Sequence, residues 1–238
     1  MTITFVSRQL PRIRGVRKAD KATNRMSFSG VVPWFDIGNP MGPSRRDGSS
    51  FEGVIEVESL LEHDFVVGAR FDGITREIRS QPCKLRWFDP RMRSWRMHTP
   101  DFELVQRGQD RLLYVQVKPK RIADYLAAEH ALIRRSFAML GHRFEVWTED
   151  EIRKQPRFRN CEMLFGHTAP IENVAALDRI REVLRLVRSD TPTVGQIRRA
   201  AGVGGATLPA LLRLHVRGEI RFDLDREIDE RALVHRAA

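Results

Sequence analysis

The sequence predicts an α/β fold followed by a smaller, mostly helical domain, and three observations lead there. In Arg111-Leu-Leu-Tyr-Val-Gln-Val-Lys-Pro119, Leu113, Val115 and Val117 fall on one side and Tyr114, Gln116 and Lys118 on the other, the period of a strand lying over a core. Ile122, Tyr125, Leu126, Ile133, Phe137 and Leu140 then recur at helical spacing and stop at Gly141. A second helical stripe, Val174, Leu177, Ile180, Val183, Leu184 and Val187, opens a further run of short elements with apolar faces of their own.

Taken in order, residues 1–50 lack periodicity. Arg8, Arg12, Arg14, Arg17, Lys18, Lys21 and Arg25 are strung along a segment broken by Pro and Gly, and residues 38–50 read as loop. The segment reads either as a basic arm that packs Phe28, Trp34 and Phe35 onto the next domain or as a solvated tail. Residues 51–165 form the α/β domain. Glu58-Ser-Leu-Leu-Glu-His-Asp-Phe65 reads as a helix whose one face carries Glu58 and Glu62, with Leu61 and Phe65 beside them. Residues 73–88 follow as a strand or strand pair, with Leu85 and Trp87 alternating against Lys84 and Arg86. Residues 89–94 read as a turn, and two strands follow, one opened by Asp101 and one ending at Lys118. The stripe from Ile122 is a helix, Arg143–Trp147 a strand, and the acids at 149–151 open another helix. Residues 171–238 give helix, helix closed by Gly202, turn, helix and a strand-like Glu219–Asp225, which is the pattern of a winged helix.

Bulk properties narrow the function. Lys plus Arg outnumber Asp plus Glu by 41 to 31, which points to a polyanionic partner, most often nucleic acid. The excess is uneven: +6 over residues 1–50 (nine bases, three acids), +2 over 171–238 (twelve, ten), and the remaining +2 between. Two cysteines, Cys83 and Cys161, make no disulfide framework, and a reduced cytoplasm is the expectation. The apolar runs are too short to span a bilayer, and no signal peptide opens the sequence.

A lysine two residues from a glutamine and one hairpin away from an aspartate calls for an explanation. The candidate is a Mg²⁺ site that hydrolyses phosphodiesters, because Mg²⁺ takes hard oxygen ligands, usually one or two carboxylates with water and substrate phosphate. A lysine beside it can orient or activate the attacking water and offset charge growing on the phosphate. Glu58 or Glu62 supplies the third group. The competing reading for Asp101 and Lys118 is a surface salt bridge.

The order of these pieces resembles the PD-(D/E)xK nuclease superfamily, and more closely the TnsA-type transposon endonucleases, over roughly Val54 to Arg153. That family carries Gln-x-Lys where most of the superfamily has an acid, and Gln116-Val-Lys118, followed by Pro119, is similar to it. The family's Ser-x-x-Glu helix matches Ser59-Leu-Leu-Glu62, and its Ile-Arg-x-Gln segment matches Ile78-Arg-Ser-Gln81. The resemblance puts the catalytic glutamate on Glu62 rather than Glu58, and gives Asp101, Gln116 and Lys118 the other catalytic positions. Glu62, Asp101 and Gln116 (or its neighbouring carbonyl) would hold Mg²⁺, for which Mn²⁺ can substitute. It also implies a restriction-endonuclease-like core and a DNA endonuclease subunit of a heteromeric transposase. Such a subunit cuts the 5′ strand at double-stranded transposon ends, beside a DDE-type transposase and an AAA+ ATPase regulator that docks on the C-terminal domain. The other readings are a stand-alone restriction or repair nuclease of that superfamily and a non-catalytic winged-helix DNA-binding regulator using Arg213 and Arg217.

His98 precedes the Asp101 motif and could touch phosphate, although a lone histidine is more often a plain structural residue. His63 and His142 have no zinc-ligand spacing. Gly202-Val-Gly-Gly205 is too short for a phosphate loop.

Overall fold

A computed structural model of the chain describes residues 3–8, 30–33, 54–89, 92–168, 173–187 and 189–237, with backbone alone for the first two segments. The elements run β1 (Ile3–Arg8), β2 (Gly30–Pro33), β3 (Val54–Val57), α1 (Leu60–Arg70), β4 (Thr75–Ser80), β5 (Cys83–Asp89), β6 (Ser94–His98), β7 (Phe102–Gln106) and β8 (Leu113–Val117). They continue with α2 (Lys120–Tyr125), α3 (Ala127–Met139), β9 (Arg143–Trp147), α4 (Glu149–Ile152), α5 (Arg157–Gly166), α6 (Val174–Leu186), α7 (Val194–Ala201), α8 (Thr207–Val216), β10 (Ile220–Arg221) and β11 (His235–Arg236). The chain divides into two units, the first ending at Ile152 and the second starting at Arg153.

The first unit is mixed α/β. Its four-stranded sheet has the order β4-β7-β8-β9, antiparallel at the first two junctions and parallel at the last. The parallel junction needs a crossover, and α2 and α3 provide it. Every residue of β8 is buried, because both faces of this central strand are covered. On one face Tyr114 stacks on Phe137 of α3 at 4.3 Å, within a core that also holds Trp87, Val105, Ile133 and Phe144. Helix α1 meets Phe102 of the sheet through Phe65, whose ring stacks there at 5.2 Å and meets Trp147 edge-on at 5.4 Å.

Several expectations change here. Within the stretch expected as an irregular arm, β1 pairs with β5, and β2 with β3; the other residues of 1–50, Phe28, Trp34 and Phe35 among them, lie outside the described residues. The strand pair at 73–88 divides between two sheets, since β5 joins β1 and β6 while β4 joins β7. Strand β6 begins at Ser94, the last residue of the expected turn. The single helix expected from Ile122 is two, separated at Leu126, and Tyr125 is 84% exposed at the end of the first. Val174, placed on the apolar stripe, is exposed as the first residue of α6.

In the second unit α6, α7 and α8 close a core of Leu177, Ile180, Val183, Ile197, Leu211 and Leu214, followed by the small β10–β11 ladder. Thr193 and Gln196 form a capping box that starts α7, and Gly202 ends it in the left-handed conformation. His215 is buried. Burial and, second, Arg221 push it down to about 4, so its neutral Nδ1 accepts from the Phe222 N–H at 3.1 Å. Helix α5 belongs to this unit, although the sequence reading ended the first domain at 165. Asn160, 2% exposed, donates through Nδ2 to the carbonyls of Leu224 and Arg226 at 2.9 and 2.7 Å. Asn160→Ala should therefore lower stability by about 1–3 kcal/mol, as the buried Leu224 carbonyl and the part-buried Arg226 carbonyl lose their donor. Denaturant unfolding of the whole protein measures this, and an unchanged midpoint would exclude that role for Asn160.

Candidate active site

The site gathers at one end of the four-stranded sheet, and the strand register accounts for half of it. Phe102 pairs with Val115, so one step further along the ladder Asp101 lies opposite Gln116. Asp101 is 5% exposed, and three donors converge on its Oδ2: Gln116 Nε2 in a short contact, the Val117 N–H at 2.8 Å and Lys118 Nζ at 3.5 Å. The carboxylate oxygen accepts, so the amide nitrogen of Gln116 must face it. That leaves Gln116 Oε1 buried and, among the described residues, without a hydrogen-bond partner. Lys118 is half-buried, its side chain 32% exposed, so its ammonium group reaches both Asp101 and solvent.

Helix α1 supplies the other carboxylate. Ser59 caps the helix, its Oγ accepting from the Glu62 N–H at 3.1 Å. The Ser59 hydroxyl donates to Glu62 Oε1 at 3.2 Å, and the Glu58 N–H donates to Oε2 at 2.7 Å. Phe65, one turn on, is held against the sheet and fixes the direction of Glu62. The Glu62 carboxyl is raised from 4.5 to about 7: burial is the largest cause and Asp101 the next, while the Glu58 amide and Lys118 pull it down. Those opposed influences bring Glu62, Asp101 and Lys118 into one electrostatic neighbourhood.

The expectation that Glu58 and Glu62 share a helix face is corrected: the helix begins at Leu60, and Glu58 precedes the cap. The hydroxyl of Ser59 serves the amide of Glu62 before the helix can extend backwards, and the Glu58 side chain turns instead to Gln81, whose Nε2 donates to its Oε1 at 2.8 Å. His98 is placed among rings, 6.3 Å from Trp87 and 5.7 Å from Phe144, as a structural residue. His142 packs edge-on to Tyr114 and His63 meets Asp64. Arg213 is half-buried, and its guanidinium donates to the His167 carbonyl.

Sequence reasoning missed a second charged group beside the site. Arg79 bridges Glu103 at 2.5 Å and Glu77 at 2.6 Å, linking β4 to β7. The signal was present: Glu77 and Arg79 are two apart in a strand and so share a face, and Glu103 is the cross-strand partner of Arg79.

No protein-family model matches the chain, and no curated protein matches it. Among the described residues no three His, Cys, Asp or Glu side chains come together as a metal site. The cluster at the sheet end differs from such a group, being two carboxylates, one amide oxygen and one lysine. Among the described residues no helix is long and apolar enough to cross a membrane. Cys83 and Cys161 are buried and are not joined in a disulfide.

Proposed function

We propose that the chain is a Mg²⁺-dependent DNA endonuclease of the TnsA type, with Glu62, Asp101, Gln116 and Lys118 as its catalytic residues. The observation that carries this reading is the convergence of Gln116, Val117 and Lys118 on one oxygen of Asp101, with Gln116 Oε1 left buried and unpartnered beside a crowded pair of carboxylates. A surface salt bridge has no use for an orphaned buried amide oxygen or a second carboxylate held against its charge preference; a hard cation satisfies both. The order of elements that build the four-stranded sheet also supports the PD-(D/E)xK assignment: helix α1, antiparallel strands β4, β7 and β8, a helical crossover and the parallel strand β9, with the site at the open end of the central pair.

The residues fit Mg²⁺: Glu62, Asp101 and Gln116 Oε1 would hold it, and when bound it supplies Lewis-acid polarisation of the scissile phosphate and an acidified water. Lys118 orients the attacking water through one N–H while another stays on Asp101, and its charge offsets the charge that grows on the phosphate. Asp101 keeps Lys118 in place. The Val117 N–H fixes the Asp101 rotamer, so the constellation is preorganised by the sheet and not by substrate.

Within the same reading the duplex transposon end is the substrate, a DDE-type transposase cuts the other strand, and the cytoplasm is the compartment. The second unit, whose helix–helix–helix–ladder order fits a winged helix, docks an AAA+ regulator. The pairing of its arginines within the unit supports docking over duplex binding: Arg157 with Asp225, Arg181 with Glu219 and Arg198 with Glu230. Lys118→Ala tests the mechanism. Strand cleavage with Mg²⁺ should fall by about 100-fold or more, while thermal stability stays within about 1 kcal/mol, because the lost ion pair is partly exposed. Cleavage at the parent rate would remove Lys118 from the chemistry.

A further inference from the structure

We propose that Gln81 is a positioning residue that ties the two carboxylates of the site, Glu62 and Asp101, into one frame, with Glu58 as its relay; this rests on the nuclease reading above.

Three hydrogen bonds make the frame. The Gln81 N–H donates to the Asp101 carbonyl at 2.8 Å. Its side-chain Nε2 donates to Glu58 Oε1, also at 2.8 Å. The Glu58 N–H donates to Glu62 Oε2 at 2.7 Å. Gln81 is thus bonded both to the backbone that presents Asp101 and to the segment that presents Glu62.

Its conformation suits this position. Ser80 pairs with Phe102 as the last rung of the β4–β7 ladder, and Gln81 then turns into the left-handed region at φ 45°. A side chain with a Cβ adopts that region at a cost of about 1–2 kcal/mol, which glycine would avoid. A long amide stands there instead, 7% exposed, with its side chain spent on Glu58. A residue that merely ended the strand would need neither the burial nor the amide. The frame matters because two neighbouring carboxylates repel and would splay unless held, and ligands that are oriented by outer hydrogen bonds keep metal affinity.

The test exploits the polarity of the Gln81–Glu58 bond. Gln81→Glu alone sets two carboxylates face to face; adding Glu58→Gln restores a hydrogen bond running the other way, with the total charge of the parent. Full-length proteins are compared by calorimetric titration with Mg²⁺ and, without metal, by amide hydrogen exchange at positions 58, 81 and 117. Gln81→Glu should weaken Mg²⁺ binding by about 10- to 100-fold and speed exchange at the three amides by at least about 10-fold. The double variant should return both to within about threefold of the parent. Should Gln81→Glu not fold, Gln81→Ala removes the side chain without adding charge, and about 10-fold weaker Mg²⁺ binding is expected. Parent-like Mg²⁺ affinity and exchange in Gln81→Glu, or a double variant as impaired as the single, would overturn the proposal. A parent protein that binds no Mg²⁺ would fell the nuclease reading instead, and the exchange measurements would still decide whether Gln81 bridges the two segments.

Discussion

Asp101→Ala is expected to reduce Mg²⁺-dependent strand cleavage by more than about 1,000-fold, because it removes a charged ligand and the anchor of Lys118 together. The same change removes the acceptor of the buried Gln116 amide and of the Val117 N–H, a cost of about 1–3 kcal/mol. Relief of the repulsion on Glu62 works in the opposite direction, so the protein should remain folded. Asp101→Asn separates the two effects. Its carbonyl oxygen can still accept from Gln116 and Val117, so stability should stay close to the parent's while activity is still lost. Cleavage at the parent rate by both variants, measured on nicked plasmid, would show that the site has been misplaced.

Glu62→Gln should do two things at once: remove cleavage and, without metal, raise stability. The Glu62 carboxyl is shifted from 4.5 to about 7, so in the folded state it holds its proton where the unfolded chain has released it. A carboxyl raised in this way leaves stability intact below about pH 4.5 and erodes it as pH rises toward 7, since the unfolded state binds fewer protons in that window. The loss is on the order of 3 kcal/mol for a shift of this size, and it persists above pH 7. A glutamine escapes it while its oxygen still accepts from the Glu58 amide. The variant should therefore unfold at higher denaturant than the parent at pH 8 in EDTA, with the difference vanishing near pH 4.5. Added Mg²⁺ should narrow the gap by stabilising the parent alone. Glu58→Gln should be far milder than Glu62→Gln in cleavage, because its amide oxygen can still accept from Gln81. The opposite ranking would move the catalytic glutamate to Glu58, ahead of the helix cap.

What the sequence made legible follows from the range of each interaction. Ser59-x-x-Glu62 marks a helix start by local chemistry alone, and the alternation through Leu113–Val117 marks a strand. Glu58 was misread because helical periodicity continues on paper through a cap that only the hydroxyl of Ser59 enforces. Tyr125 was misread because the spacing that placed it on the helical stripe runs unbroken through Leu126, where the helix breaks. The pairing of Asp101 with Gln116 could be anticipated from a hairpin, but the unpartnered amide oxygen could not, since it depends on which way the amide turns. Gln81 stood out as part of a motif, but its partners, like those of Asn160, lay beyond reach for one reason: they are 20 or more and 64 or more positions away in sequence, and no local pattern records them.

The most direct measurement of the central claim is Mn²⁺ binding, followed by the loss of the free-ion paramagnetic resonance signal on titration with purified protein. It needs neither the DNA end nor a partner subunit. The site described here predicts saturable binding that Mg²⁺ displaces and that Asp101→Ala and Glu62→Gln each weaken by at least about 10-fold. Binding that is absent from the parent, or that survives both substitutions unchanged, would contradict a metal site built from these residues.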